Sequence, residues 1–270
     1  STPYTSSAAS DVYKRQKYDQ DDLLGLISED LKSPVDIREI ISRVADGSQF
    51  EEFKPLYGQT MICGWACIHG YQVGLLGNNG PIYPECAEKA ASFIQLCNKR
   101  DIPLIFLQNV TGFLVGKDFE RQAIIKKGSQ MINAVSNSTV PHITIIVGAS
   151  YGAGTYAMSG RAYNNRFTFL WPTAKIAVMG PEQIAGVMSI VRKAKAMRTG
   201  EKFDEKADAE IVKMVEDAAE RMSHALVASS MLTDDGIIDP RDTRKIIAFC
   251  LSICNNTPIE GAKEYGVFRL

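Results

Sequence analysis

From Val140 to Met158 a β-branched run ends in glycines and restarts as small, helix-compatible residues, an order that few chain paths can satisfy. Three of the seven residues from Gly148 to Gly154 are glycine, which lets a backbone approach a ligand closely or take positive φ where a side chain would forbid it. A helix starting near Gly152 would aim its first, unpaired NH groups and the positive end of its dipole into open space. The segment reads as strand Ile143 to Val147, a glycine turn, and a helix start suited to a developing oxyanion.

The rest of the chain alternates in the same way. Ile37, Ile40, Ile41 and Val44 share a helical face that Gly47 ends, and Thr60 to Ile68 with Gln72 to Leu76 form a strand pair joined around His69-Gly70. Pro84 opens a helix with Cys86, Ala90, Phe93, Ile94 and Cys97 on one face, and Pro103 to Leu107 is a short buried strand. Lys117 to Val135 reads as one helix, Phe167 to Leu170 and Ile176 to Val178 as strands. Two long amphipathic helices follow, with Ile184, Val187, Met188 and Val191 inward in the first and Ile211, Met214, Val215, Ala218 and Met222 in the second. Strands separated by helices imply parallel pairing and an α/β layered fold.

Thirty basic and 31 acidic residues balance to a formal charge of -1, so no global electrostatic footprint points to nucleic acid or to an anionic membrane. The stretch Gly128 to Gly160 carries no charged residue, but Pro141, His142 and its glycines keep any apolar run below the roughly 20 residues of a spanning helix. Cys63/Cys67 and Cys250/Cys254 share a three-residue gap, yet they lie in a strand-like and a helical run and lack the tight knuckles of structural zinc sites. They read as buried thiols, and no metal is expected at His69, His142 or His224. Residues 1 to 17 lack apolar periodicity and read as a disordered or foreign leader, with the domain proper over 18 to 270.

Three motif readings compete at the glycine turn. Gly148-Ala-Ser150-Tyr-Gly152 matches the nucleophile elbow of α/β-hydrolases, although His224, the histidine that would complete a triad, falls in a helical pattern rather than a loop. Gly152-Ala-Gly154-Thr-Tyr-Ala157 matches a dinucleotide fingerprint, but no acidic residue stands between Ala157 and Pro181 to hold a ribose. The third reading takes Asn109 to Gly116 and Gly148 to Gly154 together: each turn follows a strand, both emerge at one edge of a parallel sheet, and each supplies an NH to an oxyanion hole.

At these residues the sequence resembles the carboxyltransferase (β) subunits of biotin-dependent acyl-CoA carboxylases, nearest to their methylcrotonoyl-CoA branch and to the C-terminal half only. The likeness rests on Asp36-Ile-Arg-Glu-Ile-Ile41, Val73-Gly-Leu-Leu-Gly-Asn-Asn-Gly80, Phe106-Leu-Gln-Asn-Val-Thr-Gly-Phe113, Gly148-Ala-Ser-Tyr-Gly-Ala-Gly154, Gly160-Arg-Ala-Tyr163, Trp171-Pro172, Val178-Met-Gly180 and Asp235-Gly-Ile-Ile-Asp-Pro240. The ending Tyr265-Gly-Val-Phe-Arg-Leu270 is similar to the methylcrotonoyl branch rather than the propionyl one. Gly180-Pro-Glu-Gln183 departs from that branch, with proline in place of a second glycine, and leaves geranyl-, propionyl- and acetyl-CoA open beside 3-methylcrotonoyl-CoA.

The resemblance implies a crotonase-like spiral of ββα units and transfer of a carboxyl group from carboxybiotin, carried on a partner domain, to an acyl-CoA. It implies donors at the backbone of Ala153 and Gly154, with Thr111, Gly112, Phe113 and Gly152 shaping the biotin side and Thr155 and Tyr156 beside the acyl group. No side-chain base is then required, since the biotin anion or the released carbon dioxide completes proton abstraction and carboxylation. Further implications are a biotin carboxylase/biotin carrier subunit as partner, a homo-oligomer with its site at a dimer interface, and no activity of this half alone. The compartment implied is the cytoplasm of a bacterium or the mitochondrial matrix of a eukaryote.

Overall fold

The computed structural model describes residues 16–28, 33 and 35–265; all but the last two residues of the expected leader lie outside this range. After a single helical turn (α1, Leu23–Leu26) come α2 (Ile37–Val44), the edge strand β1 (Glu51–Glu52) and a hairpin of β2 (Met61–Ile68) and β3 (Tyr71–Asn78). Helix α3 (Pro84–Lys99) leads into β4 (Leu104–Val110), then α4 (Lys117–Arg121), α5 (Ile124–Ser136), β5 (His142–Tyr151) and α6 (Gly152–Ala157). Strands β6 (Phe167–Leu170) and β7 (Lys175–Ala177) precede the long helices α7 (Pro181–Thr199) and α8 (Glu205–Ser223), then α9 (Ala225–Ser230) and α10 (Thr243–Cys254).

The seven strands form one sheet in the order β1-β2-β3-β4-β5-β6, with β7 pairing the far end of β5. β1 to β3 are antiparallel neighbours, and every pairing from β3 onward is parallel. β2, β3 and α3 make one ββα unit, and β6, β7 and α7 follow the same order. Strand alternation divides the core in two. Ile105, Leu107, Ile143, Ile145 and Val147 face α2 and α10, whereas Leu104, Phe106 and Leu76 face α3 and α5. Because helices cover both faces, β4 and β5 are buried nearly end to end, which is why they read as unbroken apolar runs. Cys63 and Cys250 fall in these two different clusters, on opposite faces of the sheet.

Polar contacts also tie the side of the sheet that faces α2 and α10. Trp171 Nε1 donates to Thr243 Oγ1 at 2.9 Å across buried surface. The hairpin turn at His69 (φ 49°) and Gly70 (φ 82°) is left-handed at both residues, as a two-residue hairpin requires. Its two amides donate to the Asp46 carboxylate at 2.8 and 2.7 Å. Arg244 Nη2 closes on the same carboxylate at 2.6 Å, with both side chains almost fully buried.

Three sequence readings are corrected. The helix expected over Lys117 to Val135 is broken at Ala123, whose φ of 65° ends one segment and starts the next; the break lets Phe119 reach Tyr83 edge-on. β5 does not stop at Val147 but runs to Tyr151, because β7 pairs with Ala149 to Tyr151 and prolongs the ladder. The apolar faces of α7 and α8 are not inward. The helices pack on each other, but α7 buries only Ala185 and Ala196, and Val187, Met188, Val191 and Met214 stay exposed. Among the described residues no helix is long and apolar enough to cross a membrane.

His142 enters β5 fully enclosed, its ring nitrogens paired with Ser159 Oγ at 2.8 Å and Ser138 Oγ at 2.7 Å. Burial pushes its imidazole down to about 4 from the ordinary 6.5. The folded protein keeps the ring neutral while the unfolded chain takes a proton near 6.5, so this stability is complete above that value and is lost as pH falls toward 4. Unfolding free energies from denaturant titrations between pH 7 and 4 are expected to fall more steeply in the parent than in His142→Gln, by on the order of 2–3 kcal/mol at pH 4.

Candidate active site

Parallel pairing of β4 with β5 delivers the two glycine turns to the same end of the sheet. The register slips there: Gln108 pairs Ile146, but Val110 pairs Ser150, so three residues of β5 face the single Asn109. Asn109 fills the gap with its side chain, Oδ1 accepting from Ala149 N at 3.1 Å. A β-carbon on Gly148 would sit 2.5 Å from that oxygen, so glycine is needed for the close approach. The turn itself is short: Gly148, Ala149 and Ser150 are buried strand, and only Gly152, at φ 56°, takes a left-handed conformation before α6.

Helix geometry leaves the amides of Ala153 and Gly154 without an intrahelical acceptor, and among the described residues neither donates to another backbone or side-chain group. Ala153 is exposed and Gly154 buried. The facing wall is anchored on Ile82, whose NH donates to Gly112 O at 2.9 Å and whose carbonyl accepts from Leu114 N at 3.1 Å. A β-carbon at Gly154 would lie 2.8 Å from Val110 Cγ2 and 3.2 Å from Gly112 Cα, so the helix start and the wall are in contact.

Thr111, Gly112, Phe113, Gly152 and Ala153 thus border one cavity of 760 Å³. Gly154 lies just behind it. Thr155 and Tyr156 do not line it: the Thr155 hydroxyl turns inward to Ser150 Oγ at 2.9 Å, and Tyr156 is exposed and packs edge-on against Tyr163. The opposite wall was not legible in the sequence. It holds Tyr151, Lys175 and the carboxylates Glu182, Glu216, Asp217 and Glu220. Lys175 is ion-paired with Glu220. Burial, with the charge of Glu220, raises the Tyr151 phenol to about 12, so it remains a proton donor. An apolar recess of 360 Å³ adjoins it and shares Phe113, Leu114, Val115 and Ala153. A cavity of 810 Å³ beside Trp65 and Arg100 lies away from both turns.

Ser150 is not placed as a nucleophile. It is wholly buried, and its Oγ donates to Gln108 Oε1 at 2.6 Å, an amide oxygen that cannot take a proton to activate it. His224 sits between α8 and α9, bridging to the Lys175 backbone. None of the three histidines lines the cavity.

Residues 2–268 match the family model of the carboxyl transferase domain. The chain is 54% identical over 254 residues to the probable biotin-dependent acyl-coenzyme A carboxylase beta2 subunit of Mycobacterium tuberculosis, covering 94% of this chain and 48% of that protein. It is 48% identical over 259 residues to the mitochondrial methylcrotonoyl-CoA carboxylase beta chain of Arabidopsis thaliana, covering 96% and 44%. The crystal structure of the beta subunit of geranyl-CoA carboxylase from P. aeruginosa superposes with a TM-score of 0.85 at 44% identity, covering 94% of this chain and 49% of that one. The chain therefore spans about half the length of the relatives it matches. The fold is the crotonase-like α/β architecture of these carboxyltransferase subunits. On family match, identity and fold together, this chain belongs to the carboxyl transferase domain family of biotin-dependent acyl-CoA carboxylase beta subunits.

Proposed function

We propose that this chain is the carboxybiotin-facing half of an acyl-CoA carboxyltransferase, with 3-methylcrotonoyl-CoA as acyl substrate. The observation that carries the reading is the pair of unengaged amides at Ala153 and Gly154, held against the Gly112 wall at a cavity wide enough for a ring system. Carboxybiotin bound there would supply the carboxyl group and leave negative charge on its ureido oxygen. Fixed amide donors aimed at such an oxygen lower the barrier because they need no reorganisation as charge develops. Phe113 would offer an apolar face to the ring, with Thr111 and Gly152 lining the same cavity. In this proposal the proton is taken by the reactants themselves, the biotin anion or the released carbon dioxide.

The proposal includes a biotin carboxylase/biotin carrier partner and an N-terminal half that holds the acyl-CoA, so the isolated chain is expected to be inactive. The test joins this chain to the N-terminal half of a related beta subunit and supplies the biotinylated partner, ATP and labelled bicarbonate. Label should appear in 3-methylcrotonoyl-CoA faster than in geranyl-, propionyl- or acetyl-CoA. Transfer to another of these thioesters would revise the substrate, and transfer to none would end the reading.

Assembly into a homo-oligomer is part of the same proposal. The first turn of α7 and Glu216 of α8 line the cavity, and the same two helices leave Val187, Met188, Val191 and Met214 exposed, an apolar surface that is unusual on a free monomer when contiguous. Val187→Asp with Val191→Asp is expected to shift sedimentation of the joined protein toward monomer and to lower activity. An unchanged sedimentation coefficient would remove this face from the interface.

A further inference from the structure

Beneath the two turns lies a buried polar cluster that packing alone does not call for. Gln108 on β4 and Ser150 on β5 have no exposed surface. Most residues of both strands are apolar, and an apolar side chain at either position would avoid the desolvation cost that a polar one carries. What the polar groups accomplish is to grip α6 along its C-terminal half, at Thr155 and just beyond its last residue. Gln108 Nε2 donates to Met158 O at 2.6 Å, just past the helix, and more weakly to Thr155 O at 3.4 Å. Gln108 Oε1 accepts from Ser150 Oγ at 2.6 Å, which leaves the Thr155 hydroxyl as donor to Ser150 Oγ at 2.9 Å.

The cluster thereby joins three parts: Gln108 lies three residues before Thr111, Ser150 three before Ala153, and Thr155 follows Gly154. It fixes the rotation and height of a six-residue helix whose first turn touches Gly112. We propose that Gln108, Ser150 and the Thr155 hydroxyl are positioning residues that hold the Ala153 and Gly154 amides in register with the Gly112 wall for carboxyl transfer, an inference that rests on the function proposed above. Stabilisation by fixed donors depends on sub-ångström placement, and a displacement of about 1 Å can cost about 100-fold in rate.

The experiment measures kcat and KM for the acyl-CoA in the joined protein with its biotinylated partner, well below each variant's melting temperature. Gln108→Leu is expected to lower kcat by about 100-fold and Ser150→Ala by about 10-fold, with KM within about twofold. Thr155→Val, which keeps the shape and loses the hydroxyl, should behave like Ser150→Ala, and Thr155→Ser, which keeps the hydroxyl, should recover most of the rate. Thr243→Val removes a buried hydrogen bond of comparable kind far from the cavity; it should lower the melting temperature and leave kcat within about twofold. Folded Ser150→Ala and Thr155→Val variants with parental kcat, or Thr155→Ser no better than Thr155→Val, would overturn the positioning role; if Gln108→Leu does not fold, these variants decide alone. Loss of kcat in Ala153→Pro with full kcat in Ser150→Ala refutes this inference only, whereas full kcat in Ala153→Pro refutes the oxyanion reading and the inference with it.

Discussion

Ala153→Pro is expected to lower carboxyl transfer by about 100- to 1,000-fold, the loss that follows removal of one oxyanion donor. The substitution deletes an amide that has no acceptor inside the helix, so no backbone hydrogen bond is sacrificed. Proline is tolerated in the first helical turn, and Gly152 before it has no β-carbon to clash with the ring. The Ala153 side chain is exposed, so the core is untouched. The loss should appear in kcat rather than in KM, because the interaction forms only as charge develops. Steady-state kinetics of the joined protein, with circular dichroism showing an unaltered fold, checks the result. Parental kcat would show that the charge is held elsewhere in the cavity.

The second large effect is on stability. Asp46→Ala removes the carboxylate that receives Arg244 and both hairpin amides. The buried guanidinium loses that carboxylate, while Val44 O, 200 residues away in sequence, still accepts from it at 3.2 Å. Breaking a buried pair from one side costs about 3–5 kcal/mol, a large share of the roughly 5–15 kcal/mol that holds a domain together. Denaturant unfolding should show the full loss in Asp46→Ala and a smaller one in Asp46→Ala combined with Arg244→Met, since the second change removes the guanidinium that the carboxylate had held. Additive losses in the double variant would mean that the pair is not coupled.

Both effects depend on contacts unevenly visible in the chain. β4 and β5 are legible because strands covered on both faces lose their alternation and become apolar runs, and α3 is legible from its proline start and its repeating small and apolar face. The pairing of the two glycine turns follows from parallel order alone. Other features depend on partners distant in sequence. Ser150 fits a nucleophile pattern locally, but its direction is set by Gln108, 42 residues earlier. The length of β5 is set by β7, and the cavity wall opposite Ala153 by Lys175 and Glu220, which pair across 45 residues. The faces of α7 and α8 show the converse limit: periodicity reveals that a face is apolar, not whether its cover belongs to the same chain.

The Asp46 clasp also bears on the order of events in folding. Its guanidinium arrives from α10, so the hairpin turn and α2 must wait for nearly the whole described chain before the last contact is made. Closing so wide a loop gains nothing until most of the sheet exists. An interaction completed after the barrier slows escape from the native state without hastening arrival. The clasp is therefore expected to act as a brake on unfolding, with Asp46→Ala raising the unfolding rate and leaving the folding rate nearly unchanged in stopped-flow measurements.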